Sequence, residues 1–211
     1  MADNGKILEI IRAVSQTIEA HKDYLTELDQ PIGDSDHGIN MARGFEAVDA
    51  KLASMADKDV GTIFKNVGMT LVSTVGGASG PLYGTAFMRA GMAVPGKMTI
   101  DMNDFLKMLE AAIEGVKARG HADVGAATML DAMVPSLDAA KTAAGEGKSS
   151  GEALDACVDA SWKGAESTKP MVATKGRASY VGERGIGHQD PGATSYSYIM
   201  EAVRDTFKGK D

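Results

Sequence analysis

Asn4-Gly-Lys-Ile7-Leu-Glu-Ile-Ile11-Arg-Ala-Val14-Ser-Gln-Thr-Ile18-Glu-Ala-His-Lys-Asp-Tyr-Leu25-Thr-Glu-Leu28 sets the structural vocabulary of this chain. Ile7, Ile11, Val14, Ile18, Leu25 and Leu28 recur at spacings of three, four and seven, which makes one stripe of an α-helix. Asn4 can cap it. The same period returns after Gly38, where Met41, Phe45, Val48 and Leu52 predict a helix to about Ser54. It returns again over 59–75 behind Asp59, over 81–94 with Pro81 in the first turn, and over 101–118 behind Asp101. A sixth helix is expected from near Asp123 to about Ala143, kinked or split at Pro135. Ser149 and Glu152 form a capping box for 150–167, and Asp190-Pro191 starts a last helix over 191–208. No segment alternates with β-branched enrichment, so no strand is expected. The reading is one all-α domain over 1–211, an eight-helix antiparallel bundle or barrel.

The first stripe runs into Asp29-Gln-Pro-Ile-Gly-Asp34-Ser-Asp36-His37-Gly38. Three carboxylates and an imidazole crowd this short loop. A cation offsets such repulsion, and the glycines let side chains two and five residues apart converge. A divalent-metal site follows, with Mg²⁺ favoured because the ligands are few and phosphate-binding loops lie elsewhere. The competing reading is a solvated turn of capping aspartates; a lone Asp would fit it better, three with a histidine do not. Free amides at the next helix start suit an anion such as phosphate. Gly76-Gly-Ala-Ser79-Gly-Pro81 is a second glycine-rich turn feeding a helix, although alone it reads as a plain connection.

Two motif matches fail. Asp34-Ser-Asp36-His37-Gly38 begins like an EF-hand, but Phe45 stands where a bidentate Glu is required. Gly91-Met-Ala-Val-Pro-Gly96-Lys97-Met98 resembles a Walker A loop, but Met98 replaces the Ser or Thr and no strand precedes it.

Residues 169–190 are long for a structureless connection and mix Arg177, His188 and Asp190 with glycines, which favours a functional loop. Arg177 is equally readable as a phosphate clamp or a surface charge. His121 and His188 read at least as well as ordinary loop histidines, and Met129 as core.

The net charge of −7 and the lack of a basic run argue against nucleic acid and anionic membranes. The lone cysteine, Cys157, excludes an internal disulfide and sits in a helical apolar pattern as a small hydrophobe. No run approaches the ~18 apolar residues of a membrane span and no signal-peptide pattern is present, so a cytoplasmic protein is expected.

Four blocks together resemble one family. Ile32-Gly-Asp34-Ser-Asp36-His37-Gly38, Gly76-Gly-Ala-Ser79-Gly-Pro-Leu-Tyr-Gly84, Gly120-His-Ala-Asp-Val-Gly-Ala-Ala-Thr128-Met-Leu-Asp131, and Gly176-Arg-Ala-Ser-Tyr180 with Gly187-His-Gln-Asp190-Pro-Gly192 resemble the nucleotide-binding L subunits of dihydroxyacetone kinases, in that family's order. Ser35 departs from the pattern, where Gly is frequent. The resemblance implies an eight-helix antiparallel barrel with a nucleotide site at one end. It implies two Mg²⁺ held by Asp29, Asp34 and Asp36, and tightly bound ADP or ATP. Nucleotide contacts are implied at His37, Gly38, Ile39, Asn40, Ala78, Ser79, Gly120, Met129, Arg177, Asp190, Pro191 and Gly192.

It further implies phosphoryl transfer to dihydroxyacetone held on a partner kinase subunit, with this chain active only in its company. A phosphohistidine subunit of the phosphotransferase system would re-phosphorylate the bound ADP in place. The carboxylates would act as metal ligands and not as general bases. Alternatives are an ATP-exchanging kinase subunit for dihydroxyacetone or another acceptor, such as a carried fatty acid, and a non-catalytic protein that signals its ADP state to a transcription regulator. A homodimer stands as an open alternative to a monomer.

Overall fold

The computed structural model describes residues 1–209. Among the described residues nine α-helices carry the chain: α1 Asn4–Ala20, α2 Lys22–Asp29, α3 His37–Asp49, α4 Val60–Thr74, α5 Ser79–Met92, α6 Met102–Gly120, α7 Leu130–Gly145, α8 Ser150–Ser167 and α9 Pro191–Lys208. In space α1 neighbours α3, and α3 to α9 then pack in chain order until α9 returns to α1. Eight helices thus close a ring, and the short α2 lies against α3 and α9. This is an all-α antiparallel barrel. Ile7, Ile11, Val14, Phe45, Ile63, Leu109, Met133 and Ile199 fill one contiguous apolar core. No helix among the described residues is long and apolar enough to cross a membrane.

The first stripe is two helices, not one. The chain turns at His21, which closes α1 with φ −105° and ψ 10°. The break falls in the gap of the stripe, where His21 and Lys22 stand between Ile18 and Leu25. His21 stacks on Tyr198 of α9 at 3.8 Å, and Trp162 of α8 meets the same tyrosine edge-on at 4.9 Å. The cap of α1 is Asp3, whose carboxylate accepts the amide of Lys6 at 2.8 Å. Asn4 instead donates its side chain to the carbonyl of Ala56 at 2.9 Å, tying α1 to the 3-10 turn Leu52–Met55 and its exit. Against the expectation of no strand, one small ladder exists among the described residues, β1 Ala2–Asp3 antiparallel to β2 Thr99–Ile100, with Ala2 opposite Ile100.

Three other boundaries differ from expectation. α3 ends at Asp49, short of Ser54, and the 3-10 turn Leu52–Met55 carries the rest of that stripe. α5 starts at Ser79, two residues before Pro81. α7 starts at Leu130, not near Asp123, because the buried carboxylate of Asp131 gathers the amides of Gly125 and Thr128 at 2.5 and 2.8 Å and holds the preceding residues in a loop. Pro135 does not split α7, which runs unbroken to Gly145.

α4 and α5 approach closely enough for their backbones to touch. Cβ atoms added at Gly61 and Gly68 would lie 2.7 and 2.6 Å from the carbonyl oxygens of Gly91 and Gly84. Those two glycine pairs are one heptad apart on each helix, so the seam is built of backbone and no larger residue fits it.

The alternation of helix direction sorts the connections. The segments 30–36, 75–78, 121–129 and 168–190 all emerge at one end of the barrel, and with the helix starts that follow them they hold the acidic loop, the Gly76 turn and the long 169–190 loop singled out in the sequence.

Candidate functional site

Helices α3, α5, α7 and α9 begin at that end, while α1, α4, α6 and α8 begin at the other. The two sets are finished differently. At the far end every helix is capped by its own side chain: Asp3, Asp59, Asp101 and Ser149 each accept a first-turn amide. At the near end Asp190 caps α9, whereas the N-cap residues of α3, α5 and α7, Asp36, Ala78 and Met129, make no side-chain cap; Asp29 instead takes the His37 amide and Thr128 the Leu130 amide. First-turn amides have no partner within their own helix, and each helix start carries about half a positive charge. Three helix starts that converge on one space without a cap from their own N-cap side chains favour an anion there.

That space is a cavity of about 300 Å³. Its lining includes Asp29, Asp34, Asp36, His37, Ala78, Ser79, Gly120, Met129, Arg177, Asp190, Pro191 and Gly192. Twelve of the fifteen residues singled out by sequence therefore share one cavity. The other three do not line it. Gly38 turns toward α2, where a Cβ would collide with the carbonyl oxygen of Lys22. Ile39 is solvent-exposed, and Asn40 is buried, accepting from the guanidinium of Arg43 at 2.7 Å and packing against Gly76.

The acidic loop is folded for convergence. One oxygen from each of Asp29, Asp34 and Asp36 lies within 4.8 Å of the others. Asp29 is buried at the end of α2, and its Oδ2 accepts the amides of Asp36 at 3.0 Å and His37 at 3.3 Å. Gly33 passes over this carboxylate so closely that a Cβ would strike its Oδ1. Ser35 sits at φ +60°, a left-handed conformation that glycine adopts without cost. Oxygen ligands at this spacing suit a hard divalent cation such as Mg²⁺. Arg177, from the 3-10 turn Arg177–Tyr180, places its Nη2 2.8 Å from Asp34 Oδ2 and supplies positive charge to the cluster.

The remaining walls divide by chemistry. Ile32, Pro81, Leu82, Val116 and Met129 give an apolar side, and Lys175, Arg177 and Arg119 stand at the exposed rim. The long loop is tied down by Thr174 N–H donating to Ala126 at 3.2 Å and Gly187 N–H donating to Lys169 at 2.7 Å.

Two titrating groups are strongly perturbed. Burial pushes His37 down to about 4, against the opposing pull of the Asp29 carboxylate. Burial pushes Asp190 up to about 7, the Ala193 amide it caps works against this, and the carboxylates of Asp131 and Asp29 add to it. His37 links three helix starts. Its Nδ1 lies 3.0 Å from Ser79 Oγ and its Nε2 2.9 Å from Ser195 Oγ. Sequence reasoning passed over Ser195, Tyr83 and Asp131 as individual residues. For Ser195 the usable signal was the run Thr194-Ser195-Tyr196-Ser197, which places small polar residues on a face that must be buried.

The DAK2 domain model matches residues 31–205. The chain is 45% identical over 198 residues to the ADP-binding subunit DhaL of the PEP-dependent dihydroxyacetone kinase of Escherichia coli (strain K12), covering 94% of each chain. It is 42% identical over 196 residues to the ADP-binding subunit DhaL of the PTS-dependent dihydroxyacetone kinase of Lactococcus lactis subsp. lactis, covering 93% of this chain and 94% of that one. The crystal structure of the dihydroxyacetone kinase from C. freundii in complex with AMP-PNP and Mg²⁺ superposes with a TM-score of 0.72 at 26% identity, over 97% of this chain and 34% of that one. The family model covers most of the chain and the two DhaL likenesses span more than nine-tenths of it, so the chain belongs to the DAK2 domain family.

Proposed function

We propose that this chain is the nucleotide-carrying subunit of a dihydroxyacetone kinase of the phosphotransferase-system-dependent type. It holds ADP or ATP in the cavity at the barrel end. The γ-phosphoryl group passes to dihydroxyacetone on a partner subunit, and a phosphohistidine protein of the phosphotransferase system re-phosphorylates the ADP without its release. The observation that carries this reading is the pairing, in one cavity, of three helix starts that lack a cap from their N-cap side chains with three convergent carboxylates. The first set suits phosphate oxygens and the second suits the cation that accompanies them. Relatives of the same length named as ADP-binding subunits supply the rest of the support.

Asp29, Asp34 and Asp36 would hold two Mg²⁺, which when bound neutralise phosphate charge and orient the transferred group. Asp29 is pre-positioned for this, with Oδ2 fixed by two amides. The first turn of α5 and the Ser79 hydroxyl face the phosphates, and Met129 and Leu82 offer an apolar wall for adenine. Arg177 leaves Asp34 and engages phosphate when nucleotide is present, since the exposed ion pair costs little to break. Phosphoryl transfer asks for positioning and charge rather than covalent help from the protein, so no side chain here acts as general base.

The test is reconstitution with a dihydroxyacetone-binding kinase subunit and a phosphohistidine donor. Formation of phosphorylated dihydroxyacetone without added ATP is expected. Turnover that requires added ATP points to an ATP-exchanging subunit, and label appearing on an acyl group points to another acceptor.

A further inference from the structure

Along the cavity wall, four side chains form a continuous hydrogen-bonded series that no metal or helix-capping role explains. Tyr83 OH lies 2.7 Å from Ser195 Oγ, Ser195 Oγ 2.9 Å from His37 Nε2, and His37 Nδ1 3.0 Å from Ser79 Oγ. The residues come from α5, α9 and α3 and are 158 and 112 positions apart in the longest pairs. Ser195 is fully buried and away from the cavity, while Tyr83, His37 and Ser79 line it; Tyr83 and His37 are buried, and Ser79, half-buried, is the most accessible of the four. The ring of Tyr83 also lines an apolar cavity of about 160 Å³ inside the barrel, so no polar group competes for its hydroxyl from that side.

The series has a direction. A phenol is a better proton donor than an aliphatic hydroxyl, so Tyr83 donates to Ser195 across the shortest contact. The carbonyl of Gly192, 3.1 Å from both hydroxyls, keeps a second lone pair beside the one used by the helix ladder, but at that length it is the weaker acceptor for each. Ser195, having accepted, passes its own proton to His37 Nε2. A neutral imidazole offers one lone pair and one N–H, so Nδ1 carries the proton and donates to Ser79 Oγ. The Ser79 proton is then left pointing into the cavity. Reversed, the series would turn lone pairs of Ser79 to the cavity, which suits a cation and not a phosphate.

We propose that Ser195 and Tyr83 are positioning residues that, through His37, hold the Ser79 hydroxyl as a hydrogen-bond donor to a phosphoryl oxygen of the bound nucleotide. This rests on the cavity being the nucleotide site.

Two measurements test it. In the nucleotide-free protein, long-range ¹H–¹⁵N correlation spectra report the tautomer of His37; the Nδ1–H form is expected, moving toward Nε2–H in Ser195→Ala. Calorimetry then gives the Kd of Mg·ADP for wild type, Ser195→Ala, Ser79→Ala and the double variant. Each single change is expected to weaken binding roughly tenfold, the size of one hydrogen bond to a charged group. The double variant is expected to bind no worse than Ser79→Ala, since Ser195 acts only through Ser79. If Ser195→Ala does not fold, Tyr83→Phe, which keeps the ring packing, takes its place, with a smaller loss in the same direction. An Nε2–H tautomer in the wild type, an unchanged Kd in Ser195→Ala, or losses that add in the double variant overturn the proposal. Failure of the wild type to bind Mg·ADP defeats the nucleotide reading and with it the ligand named here, whereas an Nε2–H tautomer in a wild type that does bind defeats this inference alone.

Discussion

Replacing Asp190 with Asn should flatten the fall of stability with rising pH. The carboxylate of Asp190 lies half-buried at the start of α9, and its Oδ2 accepts the amide of Ala193 at 2.6 Å. Burial raises its pKa from 3.8 to about 7, with Asp131 and Asp29 adding repulsion. A folded-state pKa above the unfolded value means that the folded protein holds the extra proton between those two values. Stability from this group is complete below about pH 4 and is lost as pH rises through 7. A difference of about 3 pKa units corresponds to at most about 4 kcal/mol, and solvent contact on the outer oxygen reduces the expected effect to roughly 2 kcal/mol. Asn caps a helix as well as Asp and has nearly the same volume, so the substitution removes only the charge. Urea unfolding of the nucleotide-free protein between pH 4 and pH 8 measures this. The wild type should lose roughly 2 kcal/mol more than Asp190→Asn over that range. His37, held down near 4, works in the opposite sense: its contribution is present above pH 6.5 and is lost as pH falls through 4. It is common to both proteins and cancels in the difference. Parallel pH profiles would refute the reasoning, because Asp190 would then ionise as an ordinary carboxylate.

Asp36→Ala should abolish nucleotide retention while far-ultraviolet circular dichroism stays unchanged, because the residue belongs to the acidic cluster and supplies no side-chain cap to α3; retained nucleotide would remove Asp36 from the ligand set. Gly68→Ala should destabilise the barrel by roughly 2–4 kcal/mol, since the new methyl would lie 2.6 Å from the carbonyl of Gly84 and force α4 from α5. Denaturant midpoints measure it, and a loss below ~1 kcal/mol would mean that the seam yields easily.

What the sequence disclosed is what is local. Asp59, Asp101, Ser149 with Glu152, and Asp190 with Pro191 cap the helices that their short-range patterns predict. The apolar stripes place Phe45, Ile63 and Ile113 in the core for the same reason. Departures arise where distant parts of the chain decide. The α7 start is delayed because the Asp131 carboxylate captures loop amides that would otherwise begin a helix. Asn4 yields the cap to Asp3 because its side chain is drawn to Ala56, a partner 52 residues away. The break at His21 was visible only as a gap in the stripe. Met129 reads as core and is buried, yet it also forms part of the cavity wall, a double position that only the closed ring creates. The series from Tyr83 to Ser79 joins three helices and leaves no short-range trace.

The central claim is that the loaded end of the barrel carries a nucleotide that stays with the protein. Denaturing the freshly purified chain and separating the supernatant by ion-exchange chromatography, with metal analysis of the same sample, tests this most directly. The account predicts ADP in near-equal amount to the chain, accompanied by Mg²⁺. Freshly purified, folded protein free of adenine nucleotide would contradict it.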